Sequence, residues 1–109
     1  MAKRKFIRAI SVLKSLTRQK GIDVDKIIIF GSYARGEDKK GSDIDIIIVS
    51  KDFEGKDIFE RVEIASGLHR ELVEKTMMPA DIMYYSTTEW DEGNSLIINQ
   101  AKEEGIVYT

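Results

Sequence analysis

The sequence has no cysteine, one proline (Pro79) and one histidine (His69) among 109 residues. Without cysteine there can be no disulfide, no thiolate nucleophile and no cysteine zinc site. A single histidine excludes a histidine-based metal cluster within one chain. Long apolar runs are also missing. The longest span four residues, as in Ile27–Phe30 and Ile46–Val49, whereas a membrane helix needs about 20. Arg8 interrupts the apolar residues near the N-terminus, so no signal-peptide core is expected there. These absences point to a cytoplasmic protein without a membrane segment. With 42% hydrophobic and 33% charged residues, the chain reads as one globular domain over residues 1–109. A chain of that length leaves no room for a separate recognition domain, so a large substrate would have to bring its own half of the site.

Acidic residues are absent from the first twenty positions, which hold seven basic ones: Lys3, Arg4, Lys5, Arg8, Lys14, Arg18 and Lys20. The remainder has ten basic against nineteen acidic residues. A basic helix on an acidic body could contact RNA or an acidic partner. A solvated helix face accounts for the same pattern and is favoured.

Phe6, Ala9, Ile10, Leu13 and Leu16 recur at helical spacing and predict a helix over 3–20, with Gly21 as its stop. A β-branched run at 26–30 predicts a strand ending at Gly31, and a second strand covers about 44–49. Residues 57–75 read as one long helix with Ile58, Val62, Ala65, Leu72 and Val73 on its apolar face. A third strand follows at 80–85. A last helix runs from Thr87–Glu89 to Gly105, and 106–108 offers a short edge strand. The expected architecture is α/β: a small mixed three-stranded sheet, with a possible short fourth strand, and flanking helices in the order α-β-α-β-α-β-α. The short link between the first two strands favours an antiparallel pair, and the helix between the second and third favours a parallel one.

That topology gathers the unusual residues. Strand one ends in Gly31-Ser32, strand two opens with Asp43-Ile44-Asp45, and Asp81 stands at the start of strand three, all on one edge of the sheet. Strand alternation puts Asp43 and Asp45 on one side and Ile44, Ile46 and Ile48 on the other, in the core. Converging carboxylates repel unless a cation joins them, and Mg²⁺ prefers such hard oxygen ligands. A strand running through Gly31-Ser32 into the turn Tyr33-Ala34-Arg35 presents free N–H groups to an anion. Arg35 could add a guanidinium beside a triphosphate. Metal and anion sites on one edge suggest a place for an Mg²⁺-nucleotide.

Gly31-Ser32, ten intervening residues, then Asp43-Ile44-Asp45 resembles the signature of the DNA polymerase β-like nucleotidyltransferase superfamily. The variant Gly-Ser-Tyr-Ala-Arg-Gly followed by Ser-Asp-Ile-Asp is similar to its minimal nucleotidyltransferases. The resemblance covers the whole chain, including Pro79-Ala80-Asp81-Ile82. It implies two Mg²⁺ ions held by Asp43, Asp45 and Asp81, with Asp81 also helping to activate the acceptor. Gly31 and Ser32 would hold the triphosphate. The reaction would move NMP from ATP or another NTP to a hydroxyl. Minimal members of this kind are similar to antitoxins that adenylylate a tyrosine of a small helical HEPN-type toxin. Two other readings stay open: a non-catalytic module that neutralises a partner nuclease, and a minimal enzyme that tails RNA or tRNA through the basic first helix.

Other residues have plainer explanations. Arg35 could instead pair with Glu37 or Asp38, and Lys39 and Lys40 suit a solvated loop. His69, on the apolar stripe of its helix, reads as a hydrogen-bonded core histidine. Met77, Met78 and Met83 suit core or partner-facing filler. Trp90 suits either an exposed anchor or a residue packed across the sheet edge.

Overall fold

The computed structural model describes residues 2–93 and 95–109, with only the helical backbone described for residues 2–5. The elements in chain order are α1 (Ala2–Gln19), β1 (Val24–Phe30), α2 (Ser32–Arg35), β2 (Ile44–Ser50), α3 (Ile58–Ile64), α4 (Leu68–Thr76), β3 (Ala80–Tyr85), α5 (Thr87–Glu92), α6 (Leu96–Glu104) and β4 (Ile106–Tyr108). A single 3₁₀ turn follows β2 at Lys51–Phe53.

The four strands form one mixed sheet in the order β3-β2-β1-β4. β1 pairs antiparallel with β2 and with β4, and β2 pairs parallel with β3. The short link and the helical crossover therefore act as their lengths predict. The short fourth strand is present and forms one edge.

Alternation divides the strand residues between two cores. On one face Ile27, Ile29, Ile44, Ile46 and Ile48 pack against Leu13 and Leu16 of α1 and Leu68 and Leu72 of α4. The apolar stripe expected of α1 (Phe6, Ala9, Ile10, Leu13, Leu16) is buried throughout. On the other face Ile28, Phe30, Ile47 and Val49 meet Trp90, Ile98 and Ala101 of α5 and α6. Each fully buried isoleucine contributes about 1.5–3 kcal/mol.

Two helices expected to be continuous are each broken. Residues 57–75 divide into α3 and α4 because Gly67 takes a left-handed φ of 83° between them. α3 then turns Ile58 and Val62 outward, 69% and 53% exposed, instead of into the core. Its N-terminus is closed by a capping box between Asp57 and Glu60. The last helix divides at Gly93 into α5, capped by Ser86, and α6, capped by Ser95. Trp90 is buried rather than an exposed anchor, with the Lys102 ammonium 5.2 Å from its ring centre. Met78 is buried, whereas Met77 is exposed.

His69 is exposed, not a core residue. The helix break turns it to the outer edge of β3, where its Nε2 lies 2.7 Å from the Ala80 carbonyl oxygen. Arg61 Nη1 donates to the Tyr84 carbonyl at 2.9 Å on the same edge. Among the described residues, no helix is long and apolar enough to cross a membrane.

Candidate active site

The strand register assembles the edge. Phe30 pairs with Asp45 across β1 and β2, and Asp45 pairs with Asp81 across β2 and β3. Asp45 and Asp81 thus stand side by side, on the face whose next positions along each strand, Ile47 and Met83, belong to the α5–α6 core. The Ile44 N–H donates to the Pro79 carbonyl at 2.9 Å, tying together the starts of β2 and β3. Asp43 lies exposed one residue before β2.

Gly31 closes the other side. Its φ of 73° is in the left-handed region, which favours glycine. Any Cβ there would overlap Asp45 Oδ2 and stand 3.1 Å from Asp45 Cγ. The backbone therefore passes against the Asp45 carboxylate because it has no side chain. The chain then enters α2 at Ser32, where Arg35 N donates back to the Gly31 carbonyl at 3.2 Å.

The edge carries uncompensated negative charge. Partial burial pushes the Asp45 carboxyl above its ordinary range, and the Asp81 and Asp43 charges push the same way. Arg35 opposes them but does not cancel them. Among the described residues, none of the three aspartates forms a hydrogen bond or ion pair through its side chain. No three acidic or histidine groups among those residues stand at the spacing of a ready-made metal cage. The donor set still fits a hard divalent cation: carboxylate oxygens at the starts of adjacent strands, that of Asp45 partly desolvated and that of Asp81 exposed.

Arg35 has the expected partner Glu37 (Nε to Oε1, 2.8 Å) and an unexpected one, Glu104 of α6 (Nη1 to Oε1, 2.9 Å). Hydrogen bonding to Glu37, and then the charges of both glutamates, hold its guanidinium above its ordinary range. Lys39 and Lys40 are exposed on the neighbouring turn, as expected. Glu104 is the residue that sequence reasoning missed: it stands 69 positions from Arg35, and no local pattern links them.

The basic first helix is tied to the body at three side chains, and one of those contacts is an ion pair. Lys20 pairs with Glu71 at 2.9 Å, Arg8 donates to the Lys75 carbonyl at 3.1 Å, and Lys14 to the Thr109 carbonyl at 3.2 Å. The side chains of Lys3, Arg4 and Lys5 lie outside the described residues.

A family model for the nucleotidyltransferase domain matches residues 10–108. The chain belongs to that family and is a nucleotidyltransferase. No curated protein matches the sequence. Solved structures share its fold. A Sulfolobus solfataricus protein assigned as a nucleotidyltransferase aligns over 98% of this chain and 85% of its own, with 22% identity and a TM-score of 0.62. A protein assigned as a minimal nucleotidyltransferase aligns over 96% of this chain and 93% of its own, with 23% identity and a TM-score of 0.60. A toxin–antitoxin structure with AMP-PNP aligns over 89% of this chain and 69% of its own, with 21% identity and a TM-score of 0.64.

Proposed function

We propose that this nucleotidyltransferase moves AMP from ATP to a tyrosine hydroxyl on a HEPN-type toxin partner, as the cytoplasmic antitoxin of a toxin–antitoxin pair. The observation that carries the reading is the Asp45–Asp81 pair, in register on adjacent strands, beside a glycine with no room for a side chain. The toxin–antitoxin neighbour with AMP-PNP supports the nucleotide and the partner.

Asp43, Asp45 and Asp81 would hold two Mg²⁺ ions, which neutralise charge on the triphosphate and on the acceptor oxygen when bound. Gly31 lets the triphosphate approach the backbone, and Ser32 adds a hydroxyl. Arg35 faces the phosphates. Asp81 takes the acceptor proton as the hydroxyl oxygen bonds to the α-phosphorus. The bond from that phosphorus to the β-phosphate oxygen breaks, and pyrophosphate leaves. An idle binding module is the weaker reading, because the partly buried Asp45 charge, beside Asp81 and Asp43, disfavours the fold and fits no purely structural role.

Incubation with α-labelled ATP, Mg²⁺ and the co-expressed product of the neighbouring gene tests the proposal. Label is expected on a tyrosine of that product, with slow turnover when the chain is alone. Efficient labelling of free tRNA or a small molecule without a second protein would overturn the assignment of the acceptor.

A further inference from the structure

Arg35 ends a four-residue helix on the site edge, and two glutamates hold its guanidinium. The two are not equivalent. Glu37 sits two residues along on the same exposed turn, with its side chain 65% exposed. Glu104 reaches in from α6 with its side chain 27% exposed. A carboxylate on the same exposed turn moves with Arg35, whereas one on a packed helix gives it a fixed reference.

α6 is such a helix. Ile98 and Ala101 are buried against the sheet, and Gln100 Nε2 donates to the same Glu104 Oε1 at 3.1 Å, one helical turn away. Gly105 fixes the exit. A Cβ there would overlap the Ala101 carbonyl and come within 2.8 Å of Ile28 Cγ2 and 3.2 Å of the Ile29 carbonyl. α6 therefore passes directly into β4, which pairs with β1 from Ile29 to Ile27. Packing on both sides of Gly105 sets the Glu104 backbone beside the end of β1, where Gly31 and Ser32 begin.

A guanidinium has five N–H donors in a rigid fork. Glu37 takes the Nε donor and Glu104 one Nη1 donor, leaving three for an anion. We infer that Glu104 is a positioning residue that aims the free donors of Arg35 at the nucleotide's β- and γ-phosphates, so that α6 and β4 complete the nucleotide site. This inference rests on the proposed nucleotide-binding role of the edge and assigns Glu104 no contact with substrate.

The test is calorimetric binding of Mg²⁺ with α,β-methylene-ATP, which cannot be cleaved at the reacting bond, and of AMP as the short control. The set is wild type, Arg35→Ala, Glu104→Gln, Glu104→Asp and the double variant Arg35→Ala with Glu104→Gln. Arg35→Ala is expected to weaken the triphosphate analogue roughly tenfold and AMP less than twofold, the scale of a lost charge-assisted contact. Glu104→Gln should weaken the analogue several-fold and also spare AMP, and Glu104→Asp should recover part of the loss. The double variant should bind no more weakly than Arg35→Ala alone. Equal weakening of both ligands by Glu104→Gln would show a merely structural role and overturn the inference. Tighter binding of the analogue would make Glu104 a competitor of the phosphates and overturn it too, as would additive losses in the double variant. Failure of the wild type to bind the analogue would sink the proposed function itself. Normal wild-type binding with no effect of Glu104→Gln would sink this inference alone.

Discussion

The two faces of the sheet are built from the same kind of strand but end differently. The face under α1 and α4 stays apolar up to the site edge: Ile44, Ile46 and Ile48 are fully buried on β2. The face under α5 and α6 is apolar at Ile47 and Val49, then turns to a carboxylate at Asp45, with Asp81 beside it. One face is given wholly to stability. The other gives up its last positions to charge, a trade that local stability alone does not favour. If this division is real, substitutions on the two faces must fail in different ways.

The largest effect is expected from removing the pair Asp43 and Asp45 together. Metal-assisted stabilisation of transferring phosphoryl charge amounts to several kcal/mol, so Asp43→Ala with Asp45→Ala should lower transfer by roughly 10³-fold or more. Calorimetry should show Mg²⁺-dependent ATP binding lost while circular dichroism shows the fold kept. Retained binding would end the site assignment.

The opposite failure is expected of Ile46→Ala. Ile46 is fully buried on the apolar face, and such truncations cost about 2–5 kcal/mol. That is a large share of the stability of a small domain, so the midpoint of urea unfolding should fall clearly. The molecules that remain folded should bind Mg²⁺-ATP as the wild type does. Altered nucleotide affinity per folded molecule would show that the two faces are not separable.

Asp81→Asn separates binding from chemistry on the second face. It keeps size and shape and removes charge. Mg²⁺-ATP affinity should stay within a few-fold, whereas transfer falls by roughly 10²-fold, the scale of lost acid–base assistance. Single-turnover labelling of the partner beside nucleotide calorimetry makes the comparison. A wild-type transfer rate in the Asn variant would return Asp81 to the status of a strand-edge carboxylate.

The edge was legible in the sequence because its parts are local. Gly31-Ser32, Asp43-Ile44-Asp45 and Asp81 each mark a strand end, and strand alternation with crossover length brings those ends together. The helices were less legible. Positions 58, 62, 65 and 72 fit a helical period, yet Gly67 breaks it and turns Ile58 and Val62 outward. Ser66-Gly67 is the sequence signal for that break. His69 was misplaced for the same reason, because its environment depends on where α4 begins. The Glu104 contact to Arg35 had no signal at all. It depends on α6 packing and on the exit through Gly105, both properties of the assembled sheet.

The smallest expected effect probes whether charge on the second face costs stability. Burial and the neighbouring aspartates raise the folded-state pKa of Asp45 above its ordinary value of 3.8. Between the unfolded and folded values the folded chain holds more protons than the unfolded one, so stability falls as pH rises through that window. Above it the full cost is present, and below 3.8 both states are protonated and the cost is gone. Asp45→Asn, which mimics the protonated form, should therefore melt slightly above the wild type at neutral pH in a chelator. That advantage should fade as the pH is lowered through the window. Saturating Mg²⁺ with nucleotide should reverse the order, because binding to the folded wild type stabilises it and the variant loses that gain. An Asn variant that melts below the wild type at neutral pH in chelator would mean that Arg35 outweighs burial and the Asp81 and Asp43 charges together at this position. The second face would then be stabilised by its charges, and the contrast between the faces would fail.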